Sequence, residues 1–287
     1  MSAGRKLKLE EFYYHIQWQP KTGRAGLHRS RQTGAGFEVN DFRPFGDGED
    51  PRRFDVRAGL KDPLGRLFVR RYKQQGSINV IMLADMSASM NFTGTASKQT
   101  LMASFLASLA LSVCRNGDVY SFLGADERYR ENISLYKMRR PEAGIDLAER
   151  INELHFDGRS ANGLLDAVHA LPGKKSLVFL VSDFYLEADF IEKLALSLSG
   201  HMVVPVVLRD SAETLDTSRF GIAHVYDSES RERKMFLLRE RFLKKLRDNQ
   251  HEHDQQVFRQ FARYGMRPLM LCDEFSAERV SHYFLGH

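Results

Sequence analysis

Two uninterrupted apolar runs, Val80-Ile81-Met82-Leu83-Ala84 and Leu177-Val178-Phe179-Leu180-Val181, constrain the fold of this 287-residue chain more than any other feature. A strand with one wet face alternates apolar and polar residues, whereas a strand covered on both faces reads as a continuous apolar run. Further short β-branched or apolar runs predict strands at 78–84, 119–124, 132–136, 177–182, 202–208 and 266–271. Between them, Met102, Phe105, Leu106, Leu109 and Val113 stand at helical spacing, and Gly117 follows as a stop. Helices are likewise predicted at 98–114, 143–154, 163–170, 187–199, within 233–263 and at 276–285. Alternating strands and helices imply an α/β domain over 77–287 with a doubly wound, mostly parallel, Rossmann-like sheet.

Residues 1–76 have another texture. Gly23, Gly26, Gly34, Gly36, Gly46 and Gly48 punctuate them, and only 67–72 alternates as a strand does. Phe42, Phe45, Phe54, Leu67 and Val69 are too apolar for a solvated linker, so this N-terminal extended, β-containing segment is expected to pack on the α/β domain. The acidic stretch 45–50 lacks the spacing of a calcium loop and reads as a turn pairing with Arg52, Arg53 or Arg57.

The net charge of +5 does not point to nucleic acid, because the arginines are interleaved with acids and no recognition motif accompanies them. No apolar run approaches the roughly 20 residues that span a bilayer. The charged N-terminus has no apolar stretch behind it, and Cys114 and Cys272 lack a C-x-x-C partner. Both features predict a cytoplasmic protein with reduced thiols. His155, His224, His251 and His253 have no zinc-site spacing.

Open α/β sheets bind ligands beyond the carboxyl ends of their strands, so the residues leaving each strand matter most. The first long run passes into Asp85-Met86-Ser87-Ala88-Ser89, which sets one carboxylate and two hydroxyls at alternate positions. The run from Leu177 ends in Ser182-Asp183, and the loop Gly158-Arg159-Ser160-Ala161-Asn162-Gly163 adds a third hydroxyl. Taken alone, each is an ordinary cap or loop residue. Together, Asp85, Ser87, Ser89, Ser160 and Asp183 form an oxygen-only donor set suited to a hard cation, Mg²⁺ or Mn²⁺. With neutral hydroxyls dominating, such an ion would accept an acidic side chain from outside as its last ligand.

The D-x-S-x-S string resembles the metal-ion-dependent adhesion site of von Willebrand factor A domains, where a threonine loop and a strand-end aspartate complete the set. Ser160 stands where threonine is usual, and Phe184 follows Asp183 where glycine is usual. Upstream, Gly36–Glu38, Arg43–Asp50 and Arg52–Val56 resemble the G-x-E, R-x-Y-x-x-G-D-D and R-x-I-D-W tracts of the bacterial family called domain of unknown function 58. The resemblance implies a von Willebrand factor A-like fold preceded by a family-specific N-terminal segment over 1–76. It also implies a protein-interaction role, as an adaptor or co-chaperone, beside a MoxR-type AAA+ ATPase or its client.

Two other classes compete with a binding module. A metal-dependent phosphoryl hydrolase of the haloacid-dehalogenase type needs a second aspartate two residues after the first, where this chain has Ser87; serine hydrolase chemistry needs a G-x-S-x-G elbow that is absent. A basic nucleic-acid-binding module would act through the arginine-rich N-terminal arm. The expectation is therefore a non-enzymatic protein.

Overall fold

The computed structural model describes residues 6–18, 28–34, 38–44, 54–55, 68–214, 221–226, 233–238 and 240–286. The chain divides into two compact units, the smaller formed by His15–Ile78 with Asn116–Asp118 and the larger by the remainder.

The smaller unit is built on an antiparallel sheet of β1 (His28–Gly34), β2 (Glu38–Pro44), β3 (Phe54–Asp55) and β4 (Phe68–Gly76). β4 pairs with each of the other three, and register shifts interrupt both the β1 and β2 pairings. Of these strands only β4 is foreshadowed by alternation. The turn at 45–50 and its expected partners Arg52, Arg53 and Arg57 lie outside the described residues.

In the larger unit, β5 (Asn79–Asp85), β6 (Val119–Ala125), β7 (Tyr129–Met138), β8 (Leu177–Ser182), β9 (Met202–Arg209) and β12 (Leu269–Cys272) form one six-stranded sheet. Its order is β12-β9-β8-β5-β6-β7, and every pairing is parallel except β6 with β7. β8 is buried along its whole length and β5 at every residue but the first, which is why their sequences are continuously apolar. β7 is the antiparallel edge and half-exposed. Among the described residues a second pair, β10 (Gly221–Tyr226) and β11 (Arg233–Leu238), forms an antiparallel hairpin within the stretch expected to precede and begin a helix.

The helices are α1 (Lys98–Arg115), α2 (Glu142–Glu153), α3 (Gly163–His169), α4 (Ala188–Ser197), α5 (Glu240–Arg263) and α6 (Ala277–Leu285). α1 ends before Gly117, whose φ of 72° supplies the left-handed turn that a residue with a Cβ adopts at a cost. Residues 6–14 also belong to this unit, running extended along α1. The backbone N–H groups of Lys8, Glu10 and Phe12 donate to the hydroxyls of Ser104, Ser108 and Ser112 at 3.2, 3.1 and 2.9 Å. Two residues of strand rise about 6.7 Å and four of helix about 6.0 Å, so alternate amides meet every fourth serine. Phe12 closes the arrangement by packing on Phe105, Phe179 and Phe275 at centroid separations of 5.8, 6.3 and 6.5 Å.

Candidate functional site

Asp85 ends β5 and Ser182 ends the neighbouring β8. The chain leaves β5 towards β6 on one side and leaves β8 towards β9 on the other. Such a switch point opens a crevice beyond the carboxyl ends of the strands.

Asp85 is fully buried there. One of its oxygens accepts the Ser87 N–H at 2.9 Å and the other the Ser182 hydroxyl at 2.7 Å. The turn that follows is fixed by backbone bonds from Met86 N–H to the Ala125 carbonyl and from Ala88 N–H to the Gly158 carbonyl, both 2.7 Å. This leaves the hydroxyls of Ser87 and Ser89 hydrogen-bonded to each other at 3.1 Å, Ser87 buried and Ser89 half-buried.

The loop carrying Ser160 is laced to the same turn through the Ser87–Gly158 bridge. Its two flanking glycines are there because backbone and side chains come too close for a Cβ. At Gly158 a Cβ would lie 2.4 Å from that of Asp126, and at Gly163 it would lie 2.2 Å from the Arg128 carbonyl carbon. Gly163 N–H donates to the Asp126 carbonyl at 2.8 Å. Ser160 itself is half-buried.

Asp183 follows β8 and is buried, but its environment differs from that of Asp85. Lys98, the first residue of α1 and itself buried, donates from Nζ to Asp183 Oδ2 at 2.8 Å and also pairs with Glu213. Arg209 donates to the Asp183 carbonyl and, through Nε at 3.0 Å, to Asp254. Burial would raise the Asp183 carboxyl, but the charge and hydrogen bond of Lys98, with help from Arg209, outweigh it and hold it below the usual carboxylate range. Asp85 goes the other way. Burial first, and then the charge of Asp183, push it up to about 6 against the hydrogen bonds from Ser182 and Ser87. Among the described residues Asp85 makes no ion pair.

Phe184 explains the departure from glycine at that position. Its φ of 53° lies in the left-handed region, where glycine is unstrained, and the phenylalanine is held there by complete burial against Phe261 at 5.1 Å.

These residues fit a small hard cation. Cis oxygens of an octahedral shell with bonds of about 2.1 Å are separated by about 3 Å, which matches the spacing of the Ser87 and Ser89 hydroxyls. Among the described residues no three His, Cys, Asp or Glu side chains converge as a metal-binding group. A cation here would therefore rest on hydroxyls, with Asp85 supplying the uncompensated charge.

Sequence reading missed Lys98, Glu213, Arg209 and Ser182. One signal was available: a lysine at the first position of a helix opposes the helix dipole and needs a reason. Asp210 is another missed residue. Its carboxylate gathers the N–H groups of Gly94, Thr95 and Ala96 at 2.9, 3.0 and 3.1 Å, fixing the loop between the Ser89 turn and Lys98.

The family described as Protein of unknown function DUF58 matches residues 41–256, well over half of the chain. The chain belongs to the DUF58 family. A curated relative, an uncharacterized protein in the moxR 3′ region of Paracoccus denitrificans, is 31% identical over 101 residues, spanning 35% of this DUF58 chain and 96% of the relative. Among solved structures, BatB from Bacteroides thetaiotaomicron has a TM-score of 0.44 at 10% identity, over 73% of this chain and 98% of that one. An aerotolerance-related membrane protein from Bacteroides fragilis has a TM-score of 0.45 at 12% identity, over the same shares. Among the described residues of this DUF58 protein no helix is long and apolar enough to cross a membrane.

Proposed function

We propose that the crevice beyond β5 and β8 is a divalent-cation-dependent docking site for an acidic side chain of a protein partner, and that the protein is a binding module, not an enzyme. The observation that carries this reading is the pair of hydroxyls, Ser87 and Ser89, held 3.1 Å apart beside a buried Asp85 with no ion pair among the described residues. Ser87, Ser89 and Ser160 would hold Mg²⁺ or Mn²⁺, with Asp85 and Asp183 behind them. When bound, the ion supplies a Lewis-acidic point at which an external carboxylate completes the shell. The residues of the chain do the rest. Asp85, Asp183 and Ser87 are buried, with Asp85 supplying the charge that no ion pair among the described residues offsets, whereas Ser89 and Ser160 are half-exposed and mark the side from which a partner would approach.

The partner is taken to be a MoxR-type AAA+ ATPase or its client, a reading supported by the Paracoccus denitrificans relative in the moxR 3′ region. The test is a pull-down of the MoxR-type ATPase by the intact protein in excess Mg²⁺ and in EDTA, with Ser87→Ala and Ser89→Ala alongside. Chelation and either substitution should weaken recovery while the fold persists. Equal recovery in every condition would remove the support for docking through this site.

A further inference from the structure

We propose that Lys98 is the resident counter-cation of this site and sets how tightly it takes up a divalent ion, an inference that rests on the docking reading above. Lys98 is 1% exposed, and an ammonium buried so deeply persists only when it is paired. It stands at the N-terminus of α1, where the helix dipole disfavours positive charge, so packing alone does not account for it. Its ammonium is shared between Asp183, at 2.8 Å, and Glu213. The rings of Tyr185 and Phe92, with centroids 5.2 and 5.7 Å away, flank it. The second carboxylate oxygen of Glu213 is buried without a hydrogen-bond partner, so this acid too is oriented by the lysine. Asp210, gripping the backbone of Gly94, Thr95 and Ala96, fixes the segment between the Ser89 turn and Lys98.

Two consequences follow from that placement. Lys98 engages one oxygen of Asp183, which leaves Asp85 as the acid whose charge is free for an incoming ion. The ammonium also repels that ion, so affinity is moderated and the fold tolerates two buried aspartates before any metal arrives. Lys98 is a positioning residue in this scheme. It moves neither protons nor electrons.

The test is calorimetric titration of the intact protein with MgCl₂, comparing wild type with Lys98→Met, Lys98→Arg and Glu213→Gln. Removing one unit charge near a dication should tighten binding about tenfold or more in Lys98→Met. Lys98→Arg, which keeps the charge, should bind as wild type does. Glu213→Gln, which leaves the ammonium less neutralised, should bind several-fold more weakly. If Lys98→Met folds and binds no tighter than a binding wild type, the role of Lys98 is overturned and the docking reading stands. If wild type binds no Mg²⁺ but Lys98→Met does, the role of Lys98 stands and the docking reading fails. If neither binds, both fail. Should Lys98→Met not fold, the sign in Glu213→Gln decides, and an affinity equal to wild type overturns the proposal.

Discussion

At Asp85, burial without an ion pair among the described residues sets how stability follows pH. Folding raises this carboxyl from 3.8 to about 6, so the folded protein holds the proton more tightly than the unfolded chain does. The stabilising contribution is complete below pH 3.8 and is lost as pH rises through about 6. In chelated protein, Asp85→Asn should flatten the stability profile across that window and be at least as stable as wild type near neutral pH, as read by urea unfolding. A less stable Asp85→Asn at neutral pH would contradict the charge account. Phe184 offers a second test, because at its φ of 53° the usual order of small substitutions inverts. Both Phe184→Ala and Phe184→Gly lose a buried ring, a cost of about 3 kcal/mol or more. Glycine alone escapes the left-handed penalty of about 1 kcal/mol, so Phe184→Gly should be the more stable of the two. The reverse order would show that the backbone at this position relaxes.

Among the elements, the extended segment 6–14 shows how a few contacts hold a piece of chain on a helix. Phe12 is buried in the aromatic cluster of α1 and β8, whereas its neighbour Tyr13 is half-exposed. Phe12→Ala should cost about 3 kcal/mol in denaturant unfolding, and Tyr13→Ala should stay within about 0.5 kcal/mol. Equal costs would mean that the segment is not anchored as described. No sequence signal marks this segment, since its pairing is with serines on a helix 96–100 residues away. β5 and β8 were legible because strands buried on both faces carry uninterrupted apolar runs, and α1 because its apolar spacing ends at a glycine. β1, β2 and β3 were not, since Gly- and Arg-rich strands with shifted register show no alternation. The hairpin of β10 and β11 was hidden by a stretch of charge that reads equally well as the start of α5. In the site, the D-x-S-x-S turn and the aspartate after β8 were legible as polar groups leaving strand ends. Lys98, Glu213 and Arg209 were not, because their roles depend on which helix start and strand end the sheet order brings together.

At the scale of the whole molecule, the larger unit is a mostly parallel sheet whose switch point falls between β5 and β8, where Asp85 and Ser182 end their strands. The proposed site sets buried Asp85, Ser87 and Asp183 behind half-buried Ser89 and Ser160, and its ion would be reached from the side of those two. Anomalous scattering from crystals of the intact protein soaked in Mn²⁺ tests this most directly. One strong peak is expected within about 2.1–2.2 Å of both the Ser87 and Ser89 hydroxyls, on the side facing Asp85 and Asp183. A map at saturating Mn²⁺ with no peak between those hydroxyls would contradict it.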